Sequence, residues 1–143
     1  MATSRSTPII APDLVLVGAL ALVDPDHRVL LTQRPEGKHM AGLWEFPGGK
    51  MEPNETPEAC VIREAEEELG IDVTANCLAP LTFASHAYDE FHVLILLYVC
   101  RIWDGVPVGR EHQALRWLAP RDMATYPMPP ADRPLVAFLR DYL

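Results

Sequence analysis

Glu64, Glu67 and Glu68 stand at i, i+3 and i+4. On a helix that spacing puts three carboxylates on one face. Like charges so placed repel and weaken an isolated helix. A divalent cation reverses the sign of the interaction, and carboxylate oxygen is the ligand type that Mg²⁺ and Mn²⁺ prefer. Taken alone, a glutamate-rich face is more often a solvated surface. Its helical setting is readable from both ends. Thr56 is a good N-cap, Pro57 suits the first helical position, and Gly70 is a natural C′ residue, which predicts a helix over Pro57–Leu69.

The chain that must position these groups has 143 residues, enough to bury a core. With 49% hydrophobic and 22% charged residues it reads as one globular domain. The net charge of −8 argues against a nucleic-acid polymer as partner, because a phosphate backbone demands a basic surface. A small polyphosphate carried by Mg²⁺ is compatible with an acidic protein. Cys60, Cys77 and Cys100 have no C-x-x-C spacing and read as buried free thiols in a reducing cytoplasm. No basic-then-apolar leader and no apolar run of about 18 residues is present, so no membrane span is expected.

Residues 1–13 read as a loose tail and 14–143 as the folded domain. Leu14 to Val23 is almost wholly apolar and predicts a strand buried on both faces. Asp24-Pro25-Asp26 turns the chain, and Arg28 to Gln33 is expected to return beside the first strand. Arg34 to Gly42 is a loop, and Leu43 to Phe46 a short strand stopped by Pro47-Gly48-Gly49. Asp72 to Phe83 predicts a strand broken at Pro80, followed by a polar loop over Ser85 to Glu90. Phe91 to Trp103 is the longest β-like run, and a further strand spans Ala114 to Leu118. A short helix is expected over Pro120 to Ala124. A proline-rich bend leads to a last helix from about Asp132, with Leu135, Val136, Phe138 and Leu139 inward. Periodicity thus gives a mixture of helix and strand, an α/β class.

The glutamates also belong to a longer pattern. Gly49, Glu55, Arg63, Glu64, Glu67, Glu68 and Gly70 fit G-x5-E-x7-R-E-U-x-E-E-x-G-U, with Ala65 and Ile71 at the apolar positions. Seven fixed residues at roughly 6% usage each match by chance on the order of 3 in 10⁹ per start position. This resembles the Nudix box, complete except that Ala65 is small where a larger aliphatic is usual. Leu-Leu-Thr-Gln-Arg-Pro at 30–35, His-Met-Ala-Gly-Leu-Trp-Glu-Phe-Pro-Gly-Gly-Lys at 39–50, Gly-Arg-Glu-His-Gln-Ala-Leu-Arg-Trp at 109–117 and Pro-Met-Pro-Pro-Ala-Asp at 127–132 are similar to the MutT branch of the Nudix hydrolases.

The resemblance implies a mixed sheet between helices, an α/β/α sandwich. It also implies hydrolysis of a nucleoside triphosphate to the monophosphate and pyrophosphate. Carried over by position, Glu64, Glu67 and Glu68 become Mg²⁺ ligands with the Gly48 carbonyl, and Glu111 completes the metal site from a distant loop. Such ions neutralise the phosphate charge and lower the pKa of a bound water. A carboxylate must take its proton, and Glu64, Glu67 and Glu111 are all placed to do so, with Glu55 a secondary candidate. Arg63 orients the glutamates. Arg34, His39 and Lys50 match positions near phosphates or sugar, and Phe46 joins them in substrate binding. Tyr88 matches an aromatic that stacks on the base. Asp132 occupies a base-reading position, although Asp there also makes a good N-cap. As a carboxylate it accepts from two donors, which suits guanine and 8-oxoguanine; cytosine would require it protonated. The expected substrate is therefore 8-oxo-dGTP, with CTP or a modified pyrimidine triphosphate as the alternative. A silent nucleotide-binding module is a third reading, which the complete box argues against.

Overall fold

The computed structural model describes residues 13–143. The expected tail lies outside them except for Asp13, whose carbonyl accepts from His92 N–H at 2.9 Å. Seven strands follow: β1 (Leu14–Leu22), β2 (Val29–Gln33), β3 (Trp44–Glu45), β4 (Gly48–Lys50), β5 (Ala79–Ala87), β6 (His92–Cys100) and β7 (Ala114–Leu118). Helix α1 is Pro57–Glu64, and α2 is Arg133–Tyr142.

One mixed sheet has the order β4-β1-β6-β5, with β1 and β6 parallel and both outer pairs antiparallel. Alternation along its two central strands explains the layering. Ala19, Ala21, Val23, Ile95, Leu97 and Val99 face a core completed by Leu135, Val136 and Leu139 of α2. Leu20, Leu22, Tyr98 and Cys100 face a second core with Val61, Ala65 and Leu69 of the first helix. The sheet is therefore covered on both faces, an α/β/α sandwich. Among the described residues no helix is long and apolar enough to cross a membrane.

Several expectations need correction. Double-sided burial holds for Ala19 onward, whereas Leu14 and Leu16 are exposed. β2 meets β1 only through a bridge at Val23 and Val29, then leaves to form a second antiparallel sheet, β3-β2-β7. Pro-Gly-Gly does not end pairing: Gly48–Lys50 is itself a strand on β1. Pro80 does not end β5, because the ladder absorbs it as a register shift at the sheet edge. The strand then runs through Ser85 and His86, which were expected in a loop. Phe138 is exposed and lies outside the α2 stripe.

The glutamate helix begins as expected, with Thr56 Oγ accepting from Ala59 N–H at 3.1 Å. Gly70 ends it at φ 69°, the left-handed position that glycine tolerates. Its last turn, Ala65–Leu69, widens into a π-helix. A π turn takes more than four residues, so i+4 stays over i while i+3 falls short of a full turn.

Gly48 locks β4 against β1. At φ 154°, a Cβ there would strike the Gly18 carbonyl oxygen. Backbone cannot rotate away as a side-chain tip can. Gly48→Ala should cost roughly 2–3 kcal/mol and lower the Tm by about 6–9 °C. Calorimetry showing an unchanged Tm would mean that β4 has room to shift.

Candidate active site

Two adjoining cavities open beside β3 and β4. The smaller, about 140 Å³, is polar and lined by Arg34, Glu45, Gly48, Glu64, Glu68 and Glu111 among others. The larger, about 380 Å³, is mainly apolar and includes Phe46, Tyr88, Phe91, Ile95, Pro129 and Asp132. Arg34, Glu45 and Gly48 line both.

Arg63 organises the glutamates. Nε and Nη2 form a fork on Glu55, at 2.7 and 2.9 Å. Nη1 donates to Glu64 Oε2 and to Glu67 Oε1, each at 3.1 Å, and Nη2 also reaches the Lys50 carbonyl at 3.2 Å. The carboxylates raise the Arg63 pKa above its ordinary value. In return the Arg63 hydrogen bonds, helped by the Glu52 N–H, hold Glu55 down at about 2. Glu55 is thus an occupied partner outside both cavities. Glu67 also stands outside the polar cavity, exposed and tied to Arg63. Glu64 and Glu68 line the polar cavity together with Glu111, and Glu67 stands beside Glu64 on the shared Arg63 Nη1.

Glu68 accepts from Gly48 N–H at 3.4 Å. Burial pushes its pKa to about 8, and nearby Glu64, Glu45 and Glu111 push the same way. Burial also raises Glu64, against the opposing charge of Arg63. Among the described residues no three His, Cys, Asp or Glu side chains are gathered closely enough to hold an ion as they stand. The donor set nevertheless fits a hard divalent cation: it is all oxygen, and carboxylates are the charges facing Glu68.

Glu45 was missed by the sequence reading. It pairs with Arg34 at 3.2 Å between the two cavities. Burial raises its pKa despite that pair. The one signal was a charged residue inside the run Trp44-Glu45-Phe46-Pro47-Gly48-Gly49. Arg34 is braced by its Nε bond to the His39 carbonyl at 2.7 Å. His39 and Lys50 line the larger cavity, not the polar one. Tyr88 accepts at its hydroxyl from Ala131 N–H at 3.4 Å and packs its ring on Phe91 at 5.0 Å. Phe91, also missed, had looked like the start of a core strand.

Asp132 is 6% exposed, and its side chain makes no capping bond to α2. Oδ2 instead accepts from Phe46 N–H at 3.4 Å. Burial raises its pKa to about 7, helped by Glu45. An unfolded Asp loses its proton near pH 4, so between about pH 4 and 7 the native state binds more protons than the unfolded one. Stability therefore falls as pH rises through that window and levels off above it. Asp132→Asn removes this slope. Its stability relative to the parent should improve by on the order of 1–2 kcal/mol between pH 4.5 and 8. Denaturant melts giving parallel pH profiles for the two proteins would mean that the native carboxyl titrates normally.

A family model described as a NUDIX domain matches residues 18–138. Over 118 residues the chain is 41% identical to a CTP pyrophosphohydrolase of Escherichia coli (strain K12), covering 81% of this chain and 84% of that protein. It is also 41% identical over 87 residues to an 8-oxo-dGTP diphosphatase of Proteus vulgaris, covering 61% and 76%. A crystal structure of a MutT NUDIX hydrolase from Burkholderia pseudomallei superposes with a TM-score of 0.77 at 32% identity, covering 87% of this chain and 97% of that one. The chain with these carboxylates at the edge of its mixed sheet belongs to the NUDIX domain family.

Proposed function

We propose that this protein is a Mg²⁺-dependent nucleoside triphosphate pyrophosphohydrolase of MutT type, acting on 8-oxo-dGTP to give the monophosphate and pyrophosphate. The observation that carries the reading is the paired cavity: a carboxylate-lined chamber opens onto an apolar chamber containing one buried carboxyl. A nucleotide has the same division, a charged polyphosphate at one end and a flat base at the other.

A divalent cation belongs to the chemistry of this family, and Glu64, Glu68 and Glu111 are the groups proposed to hold it. When bound, Mg²⁺ supplies positive charge against the phosphate oxygens and lowers the pKa of water. Glu111 is the proposed proton acceptor. Its carboxylate accepts no hydrogen bond among the described residues, whereas Glu64 and Glu67 are both held by Arg63. Arg34, at the junction, meets the phosphates, and Glu45 faces the sugar between them and the base. Phe46, Phe91 and Tyr88 enclose the base, and Asp132 reads its edge. An ionised Asp132 accepts from the N1 and N2 donors of an oxidised guanine. The free cysteines suit a reducing cytoplasm.

One observation favours CTP as a second reading. With its pKa near 7, Asp132 is protonated in a substantial fraction of molecules at neutral pH. A protonated carboxyl offers one donor and one acceptor, the complement of cytosine N3 and N4.

Pyrophosphate release with millimolar Mg²⁺ across canonical, oxidised and methylated triphosphates decides between them. The expected result is a kcat/KM for 8-oxo-dGTP at least about tenfold above that for dGTP and CTP. A preference for CTP establishes the second reading. Binding without release from any triphosphate would leave only a nucleotide-binding module. Within the active enzyme, Glu111→Gln should lower kcat by about 10²–10⁴-fold with the fold intact. A kcat within about twofold of the parent would remove Glu111 from proton transfer.

A further inference from the structure

The loop that carries Glu111 is held to the glutamate helix by one neutral side chain. Gln113 donates from Nε2 to the Glu68 carbonyl at 2.9 Å. Its Oε1 accepts from Glu111 N–H at 2.8 Å. The rest of the loop serves the same closure. Val108 N–H donates to the Leu69 carbonyl, and Arg110 N–H to the Glu68 carbonyl, each at 3.0 Å. Arg110 Nη1 reaches the Glu66 carbonyl at 3.1 Å. The Glu68 and Leu69 carbonyls are among those that the end of a helix leaves without intrahelical partners. His112 sits at φ 65°, a left-handed conformation that turns the chain back between Glu111 and Gln113. Gly109 lies so close to the Gln113 carbonyl oxygen that a Cβ there would collide with it.

We propose that Gln113 is a positioning residue for hydrolysis, joining the Glu111 backbone to the Glu68 backbone and so fixing the spacing of their carboxylates across the polar cavity. This rests on the reading of Glu111 as the proton acceptor. The residue type follows from the task. A primary amide carries a donor and an acceptor on one planar group, and both are used. Glutamate lacks the donor and would bring another negative charge to a cavity already lined by Glu45, Glu64, Glu68 and Glu111. Lysine or arginine would lack the acceptor and would bring a positive charge to the place proposed for the cation. Methionine keeps the length and loses both bonds. Gln113 acts through Glu111, so its loss should appear in the chemical step more than in substrate affinity.

The test is a double-mutant cycle of Gln113→Met with Glu111→Gln, assayed with Mg²⁺ and the best triphosphate of the panel. Gln113→Met should lower kcat about tenfold, keep KM within about twofold and shift the Tm by no more than about 3 °C. In the Glu111→Gln background the same substitution should have no further effect on kcat, because the group it positions is gone. Hydrogen exchange on the metal-free protein adds a readout independent of turnover: the Glu111 amide should exchange faster in Gln113→Met while the amides of α1 keep their protection. Equal losses in both backgrounds, or an unchanged kcat, overturn the proposal. A Glu111→Gln enzyme with parental turnover instead overturns the reading of Glu111, and the role of Gln113 falls with it. If Gln113→Met does not fold, Gln113→Asn keeps the neutral amide but is too short to bridge both backbones, and carries the same cycle with the same outcomes.

Discussion

Carboxylates that repel one another are held side by side here, and the surrounding structure supplies what resists the repulsion. Glu45, Glu64, Glu68 and Glu111 come from three places in the chain and line one small cavity. Arg34 and Lys38 line it too, so the carboxylate charges are only partly balanced there. Arg63 meets Glu64 from one side but spends its strongest bonds on Glu55. Arg34 is shared between Glu45 and the His39 carbonyl. The cost of confining these groups therefore falls on elements anchored elsewhere. The glutamate helix is fixed by Val61, Ala65 and Leu69 in one core. β4 is fixed by its ladder to β1. The Glu111 loop is tied down through backbone carbonyls of the π turn. Scaffold rigidity opposes the repulsion that a cation would otherwise relieve.

The segment from Glu45 to Gly48 joins the two chambers. Phe46 N–H donates to Asp132 in the apolar chamber, and Gly48 N–H donates to Glu68 in the polar one. Two buried carboxyls, each with a raised pKa, are thus served by one short stretch of backbone. Pro47 lies between those donors and has no N–H of its own, so it leaves no orphan donor in a crowded place. Its carbonyl accepts from Leu20 N–H at 2.9 Å, fastening the stretch to β1. Any shift of this segment is felt in both chambers at once, which couples the placement of Asp132 to that of Glu68. The same dependence explains why two glycines follow Pro47. A Cβ on Gly48 would meet β1, and a Cβ on Gly49 would meet the Glu64 carboxylate.

Much of the fold was legible wherever the cause is local. Thr56, Pro57 and Gly70 bound the glutamate helix through their own conformational preferences, and the bond from Ala59 N–H to Thr56 appears as expected. The widened last turn was not legible, and the carbonyls of Glu68 and Leu69 within it find their partners outside the helix. Those partners lie some forty residues on, at Val108, Arg110 and Gln113. Strand pairing failed for the same reason. Arg28 to Gln33 follows a tight turn and looks like half of a hairpin, yet Leu30 and Leu31 belong to different cores. The strand separates from β1 to satisfy both. Pro80 reads as a strand breaker only if the strand is internal, and β5 lies at an edge.

Side-chain chemistry was legible in proportion to how much of it each residue type dictates. Arg63 beside glutamates announces a fork, and it makes one. Asp132 supported two readings, cap or base reader, and the structure bears only on the first: no capping bond forms, and the carboxyl turns to Phe46. Glu67 stands beside Glu64 on the shared Arg63 Nη1, as helical spacing suggests, but does not line the polar cavity. Glu45 and Gln113 were legible in neither pattern nor spacing. A buried glutamate acquires meaning from the two chambers it separates, and a glutamine from the two backbones it bridges. The bridge exists because His112 adopts a left-handed conformation, which a histidine does not advertise. Residues of this kind become readable only when distant segments have been brought together, as the Glu111 and Glu68 backbones are by Gln113.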